Sequence, residues 1–164
     1  MTVTVKAGEV VFPAWMLLFT LHSAGAESIR QKFDDIAVVA QQETGLDQIR
    51  EINFSINTLL NTTHFFSESP ETDHWRSVDT ILDSKYRDDC KDFVVLKEEL
   101  LRRVGIKSER ILVLIRSSTR YSNELHVVLV IHYGEREIVL DNLRNVLVTL
   151  EDLKDVYEVY DGAP

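Results

Sequence analysis

The chain has 164 residues, 45% of them apolar and 27% charged, with a formal net charge of −9. That composition suits one globular domain, and six Gly with three Pro leave no room for a low-complexity linker. The acidic balance lacks the footprint of a nucleic-acid binder, and the single cysteine, Cys90, excludes an intrachain disulfide.

Residues 10–21 are nearly all apolar, and Ala24 and Ala26 follow at the small-residue positions of an A-x-A cleavage site. Their order predicts a secretory signal peptide over residues 1–26 and one domain over 27–164. A buried first helix is the alternative, because Lys6 is the only cation ahead of the apolar run and Glu9 offsets it. Nothing in the mature chain has transmembrane length, and no repeat is present. Residues 27–43 read as a helix on the spacing of Ile29, Phe33, Ile36, Val39 and Ala40. Gly45 breaks the pattern. A second helix over 46–60 carries Ile49, Ile52, Ile56, Leu59 and Leu60 near one face, with Asn53 and Asn57 sharing another.

Residues 61–88 are polar, with Pro70 and few apolar anchors, and read as a long loop with a short helical turn at 78–83. Phe65, Phe66 and Trp75 argue that this loop is packed. A helix then opens at Cys90 and ends near Val104, with Gly105 as its cap and Phe93, Leu96, Leu100, Leu101 and Val104 as its buried stripe. Three strands follow at about 110–117, 124–133 and 136–143, the last two joined by Gly134 and Glu135 in a two-residue hairpin. A helical turn is expected from Leu150 to Val156. Helices first and then a small antiparallel sheet make the class α+β.

Cys90 is the natural candidate nucleophile. A helix N-terminus stabilises a thiolate, and its N–H groups can hold an oxyanion. Asp88, Asp89 and Asp92 oppose this unless they point away or hold a cation. A base can be sought by strand register. The two-residue hairpin pairs Tyr133 with Arg136, so Val128 faces Asp141, and His126 becomes the diagonal neighbour of Asp141, Cα atoms roughly 7–8 Å apart. A carboxylate so placed can hold an imidazole in one tautomer, although a one-residue slip would part them. The bland alternative is a solvated histidine beside a strand-end acid. His132 lies too near the turn, while His64 and His74 lie in the polar loop and read as surface residues. No zinc spacing, Walker A or dinucleotide fingerprint is present.

Taken together, Trp75; Asp89, Cys90, Asp92 and Phe93; Lys97; Gly105 and Ile106; His126, Val128 and Leu129; and Leu140, Asp141 and Asn142 resemble the ordered pattern of the bacterial transglutaminase-like cysteine proteinases. This is the group of the LapG-type adhesin proteases. Asn53 and Asn57 resemble its upstream V-N-x-x-x-N helix, so the likeness spans about residues 50–145. The resemblance implies a papain-like or transglutaminase-like fold, with the cysteine on a helix N-terminus packed against a small antiparallel sheet. It implies a triad of Cys90, His126 and Asp141. Cys90 N–H would be an oxyanion donor, and Trp75, Asn57 and Asn142 are candidates for the oxyanion and substrate cleft. It further implies a periplasmic endopeptidase acting on a surface adhesin, and so on biofilm release, under an inner-membrane receptor. Finally, it implies calcium held by the acids beside the cysteine, of which Asp89 is the ligand carried over. The pattern there is G-D-C-E-D, whereas this chain has Asp88, Asp89, Cys90, Lys91 and Asp92. Lys91 supplies no oxygen and adds a like charge, so calcium is in question. Lys91 and the short stretch after the last strand also motivate a second reading, a non-catalytic or weakly active paralogue that binds a protein partner. A transglutaminase-like acyl transferase is a variant of the first reading, and a cytoplasmic location is the alternative if the leader is not cleaved.

Overall fold

The computed structural model describes residues 28–60, 75–83, 89–115, 125–153 and 157–160. The expected signal segment, His64, His74 and most of the polar loop lie outside these. The described chain runs α1 (Ile29–Ala40), α2 (Gly45–Leu60), α3 (Val78–Asp83), α4 (Cys90–Arg103), β1 (Glu109–Ile115), β2 (Leu125–Tyr133), β3 (Arg136–Leu140), β4 (Val148–Thr149), α5 (Leu150–Leu153) and β5 (Tyr157–Tyr160). Among the described residues no helix is long and apolar enough to cross a membrane.

Local chemistry sets the helix ends. Ser28 caps α1 by accepting from the N–H of Gln31. α4 ends in a Schellman motif: Ile106 N–H reaches Leu101 O, and Gly105 N–H reaches Arg102 O. Gly105 sits at φ +81°, the left-handed conformation that this ending requires and that a side chain disfavours. Arg102 and Arg103 then complement the negative end of the helix.

The sheet is fully antiparallel in the order β4-β3-β2-β1-β5. The expected hairpin is present, with Tyr133 opposite Arg136, Leu129 opposite Leu140, and Gly134 at φ +64° in the loop. Two further strands extend the sheet beyond the three expected. β4 and β5 are too short to show alternation, and β5 pairs with β1, which is distant in sequence. β3 also stops at Leu140, so Asp141 begins the turn after the strand.

One face of the sheet, with Val127, Leu129, Ile131, Ile138 and Leu140, packs against α4 and shares one core with the buried residues of α1 and α2. On the other face Val128, Val130 and Val139 pack with Leu150 and Leu153 of α5. The α1 stripe is narrower than its spacing suggests: Phe33, Ala37 and Ala40 are buried, whereas Ile29 and Val39 are exposed. α4 is buried along most of its surface, Val94 and Val95 included, because it lies between the sheet and the other helices. Replacing the fully buried Leu100 with Ala should cost about 2–5 kcal/mol of unfolding free energy in urea titrations. A loss below about 1 kcal/mol would contradict its place in the core.

Candidate active site

The start of α4 is fixed by a capping box. Asp89, the N-cap, accepts from the N–H of Lys91 at 2.9 Å and of Asp92 at 3.3 Å, and the Asp92 carboxylate accepts from Asp89 N–H at 2.9 Å. Cys90 is thereby the first residue of the helix, and it is half-buried. The backbone N–H of Val127 in β2, the residue after His126, donates toward its sulfur.

A helix start by itself predicts a lowered thiol pKa, and the structure corrects this. Burial pushes the Cys90 thiol up and nearby Asp89 adds to the effect; the N–H groups of Val127, Cys90 and Lys91 pull it down but do not prevail, leaving it at about 11. The resting cysteine is therefore a protonated thiol at neutral pH.

His126, the second residue of β2, and Asp141 are both fully buried. His126 Nε2 lies 2.9 Å from Asp141 Oδ1. The hairpin register makes this possible, since it brings the start of β2 beside the end of β3. Asp141 Oδ1 also accepts from Leu143 N–H at 2.9 Å, and Oδ2 lies 3.6 Å from Arg144 Nε. Burial acts to raise the Asp141 carboxyl, but the His126 hydrogen bond and charge, Leu143 N–H and Lys97 outweigh it, so its pKa is below the usual carboxylate value.

A polar cradle lies behind this pair. Asn53 and Asn57 share a face of α2, as their spacing predicts, but that face is packed against the 141–145 turn. Asn53 is fully buried on the helix's packed side and donates to Arg144 O at 2.8 Å. Asn57 donates to Asp141 O at 2.9 Å, and to Arg144 O and Asn145 Oδ1 at 3.1 Å each. Those bonds commit its amide to the 141–145 turn rather than to an oxyanion. Lys97 of α4 is fully buried, and its Nζ donates to Asn53 Oδ1 at 2.8 Å. The ammonium sits 5.8 Å from the centroid of the Phe93 ring and senses the Asp141 charge. Burial nonetheless brings the Lys97 pKa down to about 7. The spacing of Phe93, Lys97 and Leu101 puts this lysine on the apolar stripe, and the spacing of Ile49 and Asn53 does the same for the asparagine. That pattern is the signal that periodicity alone passes over.

The remaining candidates sit at the margins. Trp75 is half-buried and, like Cys90, packs against the main core. Asn142 follows Asp141, and its buried Oδ1 has no hydrogen-bond partner among the described residues. A cavity of about 670 Å³ runs from Trp75 and Arg76 along the C-terminal half of α4 to Gly105, and neither Cys90 nor His126 lines it. His132 is exposed beside Glu109. Asp89, the expected calcium ligand, already accepts two N–H groups on Oδ1, and its Oδ2 lies 3.2 Å from Lys91 Nζ. Among the described residues no three His, Cys, Asp or Glu side chains are grouped to hold a metal ion.

The family model for the bacterial transglutaminase-like cysteine proteinases matches residues 19–158. No curated protein matches the sequence. Among solved structures, calcium-bound LapG of Legionella pneumophila is similar at 19% identity and a TM-score of 0.49, over 79% of this chain and 81% of that one. A second LapG structure from the same organism gives 22% identity and 0.46, over 79% of each chain. The arylamine N-acetyltransferase of Mycobacterium abscessus gives 17% identity and 0.45, over 77% of this chain and 50% of that one.

Two titrations test this electrostatic picture. Iodoacetamide alkylation of Cys90 should climb with pH toward a midpoint near 11; a midpoint at or below the free-thiol value of about 8.5 would contradict the buried, protonated thiol. Lys97 has a folded pKa of about 7 against an ordinary 10.5, so between those values the unfolded chain keeps a proton that the folded protein has lost. Its contribution to stability therefore rises with pH across that window and is least favourable below pH 7. The unfolding free energy of wild type relative to Lys97→Met should accordingly rise from pH 7 to 10.5, and a difference flat in pH would count against the assignment.

Proposed function

The chain belongs to the bacterial transglutaminase-like cysteine proteinase family, and from that premise we propose that it is a cysteine endopeptidase working through Cys90, His126 and Asp141. The observation that carries the reading is the buried 2.9 Å pair of His126 Nε2 and Asp141 Oδ1, one residue from the Val127 N–H that faces the Cys90 sulfur.

In this proposal Nε2 of His126 is committed to Asp141, so Nδ1 takes the proton from Cys90. The thiol rests protonated, so His126 acts as a general base in the attack and does not merely accompany a preformed thiolate. The sulfur adds to the peptide carbonyl carbon, and the negative charge passes to the carbonyl oxygen. The Cys90 N–H at the first turn of α4 is the donor available to that oxyanion. When the C–N bond breaks, the amine leaves with the proton held by His126, and a thioester remains on Cys90. Water, deprotonated by His126, then hydrolyses the thioester and frees the thiol. Asp141 stays ionised throughout and stabilises the imidazolium as it forms, which its lowered pKa favours.

We assign the substrate class as a surface adhesin or a similar protein, with an inner-membrane receptor as regulator and residues 1–26 as the leader that delivers the enzyme to the periplasm. Family membership and the leader-like pattern support this assignment. The thiol raised to about 11 favours one competing reading, a non-catalytic relative that keeps the fold and binds a protein.

Cleavage of an adhesin N-terminal fragment separates the two. Wild type should cut the fragment and Cys90→Ala should not, while His126→Ala and Asp141→Asn should each lower kcat by about 10³–10⁴. Cleavage by Cys90→Ala equal to wild type would sink the triad, and an inert wild type would favour the binding protein. An added primary amine that captures the acyl group faster than water would redirect the reading to acyl transfer.

A further inference from the structure

Two carboxylates, Asp89 and Asp92, flank Cys90 at the start of α4. The side chain of Asp92 is 1% exposed and that of Asp89 16%. A buried and a half-buried carboxylate joined by one capping box demand positive charge close by, beyond the partial charge of the helix end. The structure meets that demand from the chain itself. Arg76 grips Asp92 with both arms of its guanidinium, Nε to Oδ1 at 2.9 Å and Nη2 to Oδ2. Asp92 Oδ2 also takes Asp89 N–H, so both of its oxygens are occupied. Asp89 spends Oδ1 on two backbone N–H groups and sets Oδ2 against Lys91 Nζ. Among the described residues, the two carboxylates thus face two cationic side chains.

We infer that Arg76 and Lys91 are the resident cations of this acid pair, standing where a divalent cation would otherwise sit, and that the protein assembles the start of α4 without calcium. Calcium takes six to eight oxygens. Here each carboxylate oxygen already faces an N–H group or a cationic nitrogen, and an incoming ion would meet a guanidinium and an ammonium at the same oxygens. The donor set therefore does not fit the calcium that the family resemblance implies. The Arg76 bond has a further consequence, because it ties segment 75–77 to the first turn of α4 and holds Trp75 close to the end of the helix that carries Cys90. The inference rests on family membership only for the question of calcium; the ion pairs stand independently.

Thermal melting and calorimetric titration of the full chain with calcium chloride test this without reference to cleavage, so failure here and failure of the protease reading are distinguishable. Wild type should show the same Tm in excess calcium and in excess EGTA, with no binding heat. Arg76→Gln should lower Tm by about 5–15 °C, and Arg76→Lys should recover part of the loss by restoring charge without the fork. Stoichiometric calcium binding with a raised Tm in wild type would overturn the inference, as would an Arg76→Gln variant that melts like wild type. Should Arg76→Gln fail to fold, Arg76→Lys and the wild-type titration still decide the matter.

Discussion

A histidine and an aspartate, hydrogen-bonded to each other and wholly removed from water, set the terms for the surrounding structure. An ionised carboxylate is tolerated inside a protein only if its oxygens are bonded and its charge is balanced. Asp141 meets the first condition at Oδ1, through His126 and Leu143 N–H, while its buried Oδ2 has no hydrogen-bond partner among the described residues and lies 3.6 Å from Arg144 Nε; the charges of Lys97 and Arg144 serve the second. Each of these groups must itself be held. Asn53 holds Lys97 from α2, and Asn53 and Asn57 together pin the turn on which Asp141 and Arg144 sit. One buried pair thus draws polar residues from two helices, and the hairpin register keeps them aligned.

The start of α4 faces a related problem with a different solution. Its acids are paired with Arg76 and Lys91, and its cysteine is sheltered enough that the thiol keeps its proton. A helix terminus is commonly taken as sufficient to activate a cysteine. Here desolvation is the larger effect, so the proposed attack by Cys90 requires a neighbouring base.

Much of the frame is readable from residues alone. Apolar spacing marks α1, α2 and α4. Gly134 with Glu135 marks the hairpin and its register, and the register brings His126 and Asp141 onto neighbouring positions. β4 and β5 are too short to carry a period, and β5 gains its place only through a distant pairing with β1. The polar cradle escapes for a different reason. Asn53 and Lys97 occupy core positions of their helices, and a pattern that sorts residues into apolar and polar faces has no slot for a polar group bonded inside. Arg76 lies in a polar stretch where no spacing predicts its partner. The roles proposed for Cys90, His126 and Asp141 come from the residue types and the family, not from geometry that a sequence could supply.

The proposed mechanism turns on Asp141 holding His126 through Nε2, which leaves the proton transfer to Nδ1. Nitrogen-15 NMR of the His126 ring in the intact protein reads this directly. A ring protonated on Nε2, with that signal shifted by Asp141→Asn, is the result predicted here. A ring protonated on Nδ1 and indifferent to Asp141→Asn would contradict it.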